Sequence, residues 1–223
     1  METRFTKKVS IVLRPIMEMK ERIQAKAEEL FKRYGIRSVS MDEISNQLGI
    51  SKKTLYQSFT DKEEIVHAVF DRLLGENKKL CMCDRDKADN AIHEVFLAFD
   101  HMLQMFNEMN PAILFDLHKY HPNVYAKFNA YKYEFLFNVI KTNLERGVKE
   151  EIYRAEINVD ILTRFRIESS MLAFNTDIFP QSKKDLAGVE KELLEHFLYG
   201  LSTPKGIKLI QKYIQQRQKT VAR

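Results

Sequence analysis

Among its 223 residues the chain has no tryptophan, only seven glycines and five prolines, and just two cysteines. So few glycines, serving mostly as helix stops, leave no Gly-rich loop to cradle a phosphate, and neither HExxH nor GxSxG occurs. Cys81 and Cys83 stand one residue apart, which suits neither a structural disulfide nor a secreted disulfide scaffold. A soft-metal or redox role for the Cys81-Met82-Cys83 run competes with the simpler reading of inert, helix-borne thiols. The six histidines are scattered. His118 and His121 could share a helical face, but Pro122 ends that helix, so neither a metal nor a cofactor is expected. No apolar run approaches the roughly 20 residues that span a bilayer. The patch Val9–Leu13 is too short for a signal-peptide core and is followed by Arg14. These absences predict a soluble cytoplasmic protein with no membrane partner.

What the chain does have is apolar bulk and unevenly placed charge. Hydrophobic residues make up 44%, including 15 Phe, ample for a sizeable core. The formal net charge is +5, yet residues 1–60 carry twelve Lys and Arg against seven Asp and Glu. Residues 61–203 carry eighteen against twenty-four, and residues 204–223 carry six basic residues and no acidic one. A basic head on an acidic body is the arrangement that lets a protein approach DNA in one orientation. The basic tail reads as a solvated terminal helix.

The most informative stretch runs from Ser38 to Phe70. Ser40 and Glu43, and again Thr60 and Glu63, have capping-box spacing at predicted helix starts. Gly49 supplies the positive-φ stop after the first helix, and Ser51 can cap the second. The result is helix-turn-helix spacing: Met41–Leu48, a turn at Gly49-Ile50, then Lys52–Ser58. On the second helix Leu55 and Phe59 face inward, toward Ile44, Leu48 and Ile50. Lys52, Lys53, Tyr56 and Gln57 face outward, as groups that hydrogen-bond phosphates and base edges. Taken alone, those four describe an ordinary solvated face; the caps, the turn and the basic head turn the reading toward DNA.

The run from Arg22 to Asp71, with AKAEELFKRYGIRSVSM, LGISKKTLYQSF and DKEEIVHAVF, resembles the DNA-binding domain of the TetR family of bacterial transcriptional regulators. Lys53, Gln57 and Ser58 depart from the glycine, histidine and tyrosine frequent there. The resemblance implies a DNA-binding regulator, a repressor that holds a palindromic double-stranded operator as a homodimer and is released by a small molecule. DNA contacts are assigned to Ser40, Ser51, Lys52, Lys53, Thr54, Tyr56 and Gln57, with Thr60 and Lys62 offering a helix N-terminus to a phosphate. A helical adaptor whose helix-turn-helix contacts protein, and an α-helical metal-dependent enzyme, are the alternatives.

Periodicity elsewhere predicts an all-α chain of about nine or ten helices. A basic arm at 1–15 (Arg4, Lys7, Lys8, Arg14) ends at Pro15 and is expected to be disordered, the alternative being that it lies along DNA. The helix-turn-helix domain follows at 16–62, a regulatory and dimerisation domain at 63–203, and a basic helix or tail at 204–223. A connector helix at 63–78 carries apolar rows 65/69/73 and 66/70/74. Lys78 to Asn90 lacks an apolar face and is expected to be a loop or frayed junction. Further helices are read at Met17–Tyr34, Ala91–Met109, Ala112–Tyr120, Asn123–Arg146 (capped by Gly147), Ile161–Ile178, Asp185–Leu201 and Lys205–Arg217. Phe99, Met102, Phe106, Phe115, His118, Phe128, Tyr131 and Phe135 could line a cavity for a lipophilic or aromatic effector, or form ordinary core. Leu186, Val189, Leu193, Phe197 and Leu201, faced by Phe165 and Leu172, are the expected dimer interface.

Overall fold

The computed structural model describes the backbone of residues 3–107 and 109–221 and the side chains of residues 17–107 and 109–218. The elements are α1 (Thr3–Tyr34), α2 (Met41–Leu48), α3 (Lys52–Ser58), α4 (Lys62–Lys87), α5 (Ala91–Phe106), α6 (Ala112–Tyr120), α7 (Pro122–Ala130), α8 (Phe137–Lys149), α9 (Val159–Leu172), α10 (Leu186–Leu201) and α11 (Pro204–Val221). A π-helical segment, Tyr131–Leu136, joins α7 to α8 without a break, and a 3-10 turn at Pro180–Lys183 precedes α10. Counting α7 to α8 as one rod gives ten helices among the described residues. Their β-pairing is confined to an isolated antiparallel bridge between Tyr153 and Ser202.

The chain divides into two compact units. One comprises residues up to Leu73 together with Ala112–Tyr125; the other comprises Leu74–Pro111 and everything from Ala126. Both α4 and α7 therefore begin in the first unit and end in the second.

In the first unit α1, α2 and α3 pack on one another. Ile23, Ala27, Leu30 and Phe31 of α1 are buried, as are Ile44, Leu55 and Phe59. Ser40 caps α2 by accepting the Glu43 N–H at 3.1 Å, and Ser51 caps α3 by accepting the Thr54 N–H at 3.1 Å. Gly49 closes α2 with φ 64°, a left-handed conformation that a Cβ would strain. In α4 the residues Ile65, Val66, Val69 and Phe70 are buried. From the middle of the sequence, α6 contributes buried Ile113 and Leu117.

The second unit is built on α5, α8, α10 and α11. Its main core joins Ile92, Phe96 and Phe99 of α5 to Leu144 of α8, Leu194, Leu198 and Leu201 of α10, and Ile210 and Tyr213 of α11. A smaller cluster joins Phe106 to Leu186, Ala187 and Ala173. α9 lies against α8 and α10.

Several sequence expectations are corrected here. The predicted loop at Lys78–Asn90 is helical as far as Lys87, because α4 turns a polar stripe inward instead of an apolar one. Asn77, Cys81 and Asp84 recur at spacings of four and three. The Tyr131 O–H donates to Asn77 Oδ1, the Cys81 thiol donates to the same oxygen at 3.5 Å, and Asp84 Oδ2 pairs with His101 Nδ1 at 3.1 Å. The arm before Met17 continues α1 back to Thr3, so Pro15 lies inside a helix and forgoes one backbone bond instead of stopping it.

Thr60 and Glu63 do not form the capping box of α4. Asp61 Oδ1 accepts the Glu64 N–H at 2.8 Å, and the Glu64 carboxylate reaches back to the Thr60 N–H at 2.7 Å. The box is shifted by one residue, which frees Glu63. Gly147 is not a stop either: α8 runs past it to Lys149 because the Tyr153 ring lies where a Cβ would be. α9 ends at Leu172, six residues short of Ile178, in turns that lead to Pro180.

The cap and the glycines can be tested by stability. Asp61→Ala should lower unfolding free energy by about 1 kcal/mol, the usual value of an N-cap, while Thr60→Ala should cost clearly less; denaturant unfolding ranks them. Gly147→Ala should cost about 1–3 kcal/mol through overpacking against Tyr153. Gly75→Ala, in open space on α4, should instead stabilise by about 0.5–1 kcal/mol through helix propensity.

Candidate nucleic-acid interface

The outward face of α3 is set by what its inward face must bury. With Leu55 fully buried and Phe59 nearly so, a seven-residue helix has one orientation. Lys52, Lys53, Tyr56 and Gln57 are then exposed, Tyr56 to 50% of its surface. Thr54 is half-buried, its hydroxyl shared with Ser51 at 2.8 Å. Ser40, Ser51 and Thr60 lie exposed at helix starts. All nine residues assigned to DNA belong to the first unit.

Two of the cations are less free than the sequence suggests. The Lys52 ammonium pairs with Asp42 Oδ2 on α2 at 2.6 Å, both side chains being more than half exposed. Such a solvent-screened pair is worth little, so a phosphate could displace Asp42. Lys62 is half-buried and donates to the Arg37 carbonyl at 3.4 Å. Burial lowers its pKa, while Asp116 and Glu43 pull the other way.

Asp116 carries no mark in the sequence, and His121, weighed above only beside His118, joins it here in a different role. Nearly buried on α6, Asp116 accepts the Arg37 N–H at 2.9 Å. His121, at the α6–α7 corner and also nearly buried, hydrogen-bonds through Nδ1 to Glu63 on the first turn of α4. The α6–α7 corner thus grips both the α1–α2 turn and the start of α4. The only signal in the sequence was polar residues within a short apolar helix, and their partners lie 58 and 79 positions away.

The eight residues proposed to line an effector cavity are divided between the units. Phe115 and His118 belong to the first, where Phe115 is exposed and His118 packs against Tyr125 with ring centres 4.5 Å apart. The other six belong to the second. There Phe99 and Phe106 are buried in core clusters that Met102 also joins, and Tyr131 stacks on Phe135 at 5.5 Å. Phe128 lies on α7, part-buried. A separate cavity of about 400 Å³ in the second unit has charged walls, among them Arg85, Glu94 and Arg146. Among the described residues no group of three or more His, Cys, Asp or Glu is placed to hold a metal ion. Burial, with Asp84 and Glu94 nearby, pushes the Cys81 thiol up to about 11, which keeps it protonated and unreactive.

Of the seven positions expected at a dimer interface, Leu186, Phe197 and Leu201 pack in the chain's own core, and Val189 and Leu193 lie partly buried beside it. Phe165 and Leu172 of α9 remain exposed, in a row that also includes Ile161. Behind this row Arg166 donates to Glu190 of α10 at 2.5 Å in a nearly buried ion pair.

Comparison with known proteins accords with the geometry of the first unit. Residues 23–69 match the family described as "Bacterial regulatory proteins, tetR family". The chain is 31% identical over 117 residues to the HTH-type transcriptional regulator YvaF of Bacillus subtilis, covering 51% of this chain and 60% of YvaF. Among solved structures, the ketosteroid transcriptional regulator KstR2 of Mycobacterium tuberculosis superposes with a TM-score of 0.60 at 17% identity, covering 83% of this chain and 95% of that one. The fatty acid degradation regulator FadR of Bacillus halodurans gives 0.64 at 13% identity, covering 80% and 93%. At such identities the two structures speak for the fold. The family match over residues 23–69, the similarity to YvaF and the capped helix-turn-helix agree with one another: the first unit is similar to the DNA-binding region of the TetR family.

Proposed function

We propose that this protein is a DNA-binding transcriptional regulator without enzymatic activity, acting in the cytoplasm as a homodimeric repressor that a small molecule releases from its operator. The observation that carries the reading is the α3 face. Two cations, a phenol and a carboxamide stand in solvent on a short helix whose opposite side is locked into a core. Lys53, Tyr56 and Gln57 would read base edges. Lys52, Thr60 and Lys62, with Ser40 and Ser51 at the two helix starts, would hold phosphates.

One α3 reads few base pairs, so a specific site calls for two copies about 34–36 Å apart on one face of the duplex. The exposed row Ile161, Phe165 and Leu172 on α9 is the surface offered to the second copy, next to α10. The effector would act in the second unit, into which α4 runs from the helix-turn-helix. A lipophilic or aromatic effector entering among Phe99, Met102 and Phe106 would have to displace packed side chains. To weaken DNA binding a hundredfold, an effector must prefer the non-binding arrangement by about 2.7 kcal/mol, within the usual range of coupling.

Selection of bound duplexes from a random pool should return a two-fold symmetric site. Lys53→Ala, Tyr56→Ala and Gln57→Ala together should abolish that selectivity; retained affinity and selectivity would overturn the assignment of α3. Lys62→Ala should weaken binding to all sequences alike and reduce the salt slope by about one. Asp42→Ala should free Lys52 and strengthen binding slightly at low salt, by less than about 1 kcal/mol. Phe165→Glu with Leu172→Glu, both on exposed positions, should give a helical monomer of native far-UV circular dichroism that has lost the operator. A folded dimer with intact operator binding would move the interface elsewhere.

A further inference from the structure

The charged cavity of the second unit has a floor and a rim of opposite character. At the floor, one guanidinium serves two carboxylates. Arg146 Nε donates to Glu150 at 2.7 Å, Nη1 to Glu94 at 3.2 Å, and Nη2 to the Ala88 carbonyl at 3.0 Å. The second Glu150 oxygen accepts the Ala91 N–H at 2.8 Å, at the start of α5. The floor therefore carries two negative charges against one positive. Glu94 is buried, and burial pushes its carboxyl up against the opposing pull of Asn143, Arg146 and Arg85.

The rim reverses this balance. Arg85 of α4 and Lys149 of α8 both line the cavity and extend into solvent, with Glu145 the one carboxylate beside them. The rim thus carries two positive charges against one negative. A volume of about 400 Å³ falls in the range of small-molecule sites, and a sphere of that volume is about 9 Å across. Floor and rim are close enough for one small molecule to touch both.

We propose that this cavity binds a small zwitterion, its ammonium group on the floor at Glu94 and Glu150 and its acid group at the rim between Arg85 and Lys149. A ligand with only an amine satisfies the floor and leaves the cationic rim unused; one with only an acid group does the reverse. A molecule carrying both gains the second contact at little further entropic cost, because the first has already placed it. The site is distinct in chemistry from the apolar positions suggested by the sequence. Its role as the effector site rests on the regulator reading, whereas its existence as a binding site does not.

The experiment titrates the full chain, without DNA, with 6-aminohexanoate, hexylamine and hexanoate by isothermal calorimetry. The zwitterion should bind saturably and at least tenfold more tightly than either single-charge analogue. Arg85→Ala with Lys149→Ala, both exposed and tolerant of change, should bring 6-aminohexanoate down to the level of hexylamine. Glu94→Gln should bring it down to the level of hexanoate, with thermal unfolding checked because Glu94 is buried. No saturable binding up to about 10 mM, weaker than any affinity of use in a cell, overturns the proposal; so does zwitterion binding unchanged in the Arg85/Lys149 double variant. A failed titration counts against this site alone, and a failed duplex selection counts against the regulator reading alone.

Discussion

A helix of seven residues does not persist in water by itself, and the organisation of the first unit answers that constraint. α3 keeps its shape because Leu55 and Phe59 are buried, at roughly 1.5–3 kcal/mol per large apolar side chain, and because Ser51 supplies one of its missing hydrogen bonds. Ile23, Ala27, Leu30 and Phe31 of α1 are buried in the same unit, and Gly49 sets the turn that brings α3 across α2. Everything attributed to the outer face depends on this inner one. A side chain such as Gln57 can report on a base edge only if its backbone is fixed to a fraction of an ångström.

Fixing the backbone does not fix the charges in the same way. Lys52 is tied to Asp42 by a contact that solvent and salt weaken, so its ammonium remains exchangeable. Lys62 is held differently, half-buried over the Arg37 carbonyl with Asp116 nearby. Whatever fixes Asp116 therefore also influences the cation at the start of α4. That residue arrives from α6, so the electrostatics beside the helix-turn-helix are set partly by a segment more than 50 positions downstream.

The parts of this structure that were legible in the sequence are those recorded in local signals. Ser40, Gly49 and Ser51 announce α2 and α3 because caps and positive-φ turns act within four residues. Ile65, Val66, Val69 and Phe70 announce the first half of α4 by periodicity. The second half was illegible because its inward face is polar: Asn77, Cys81 and Asp84 have helical spacing, but a search for apolar periodicity passes over them. Gly147 was misread for a similar reason. A glycine in a helical run signals a stop unless a distant ring, here that of Tyr153, needs the space. The contacts of Asp116, the pairing of His121 with Glu63 and the Arg146 cluster were invisible because their partners are remote in sequence, and no local pattern encodes them.

These remote polar contacts share a physical property that bears on how the molecule could switch. An apolar helix face is held by many weak, non-directional contacts. A buried hydrogen-bonded pair cannot slide; removing one partner leaves the other unsatisfied, which costs about 1–3 kcal/mol. α4 is held by part-buried pairs of this directional kind in each unit it crosses, through Glu63 to His121 in the first and through Asn77 to Tyr131 and Asp84 to His101 in the second. Its 26 residues make a rod about 39 Å long at 1.5 Å per residue, pinned at several points by directional contacts. A displacement of a rod held in this way would have to break those bonds and remake others. Two well-separated arrangements are what a ligand needs in order to shift a population by differential binding. Under the proposed reading, the polar stripe of Asn77 and Asp84 supplies the directional contacts that a switch through α4 would have to break and remake.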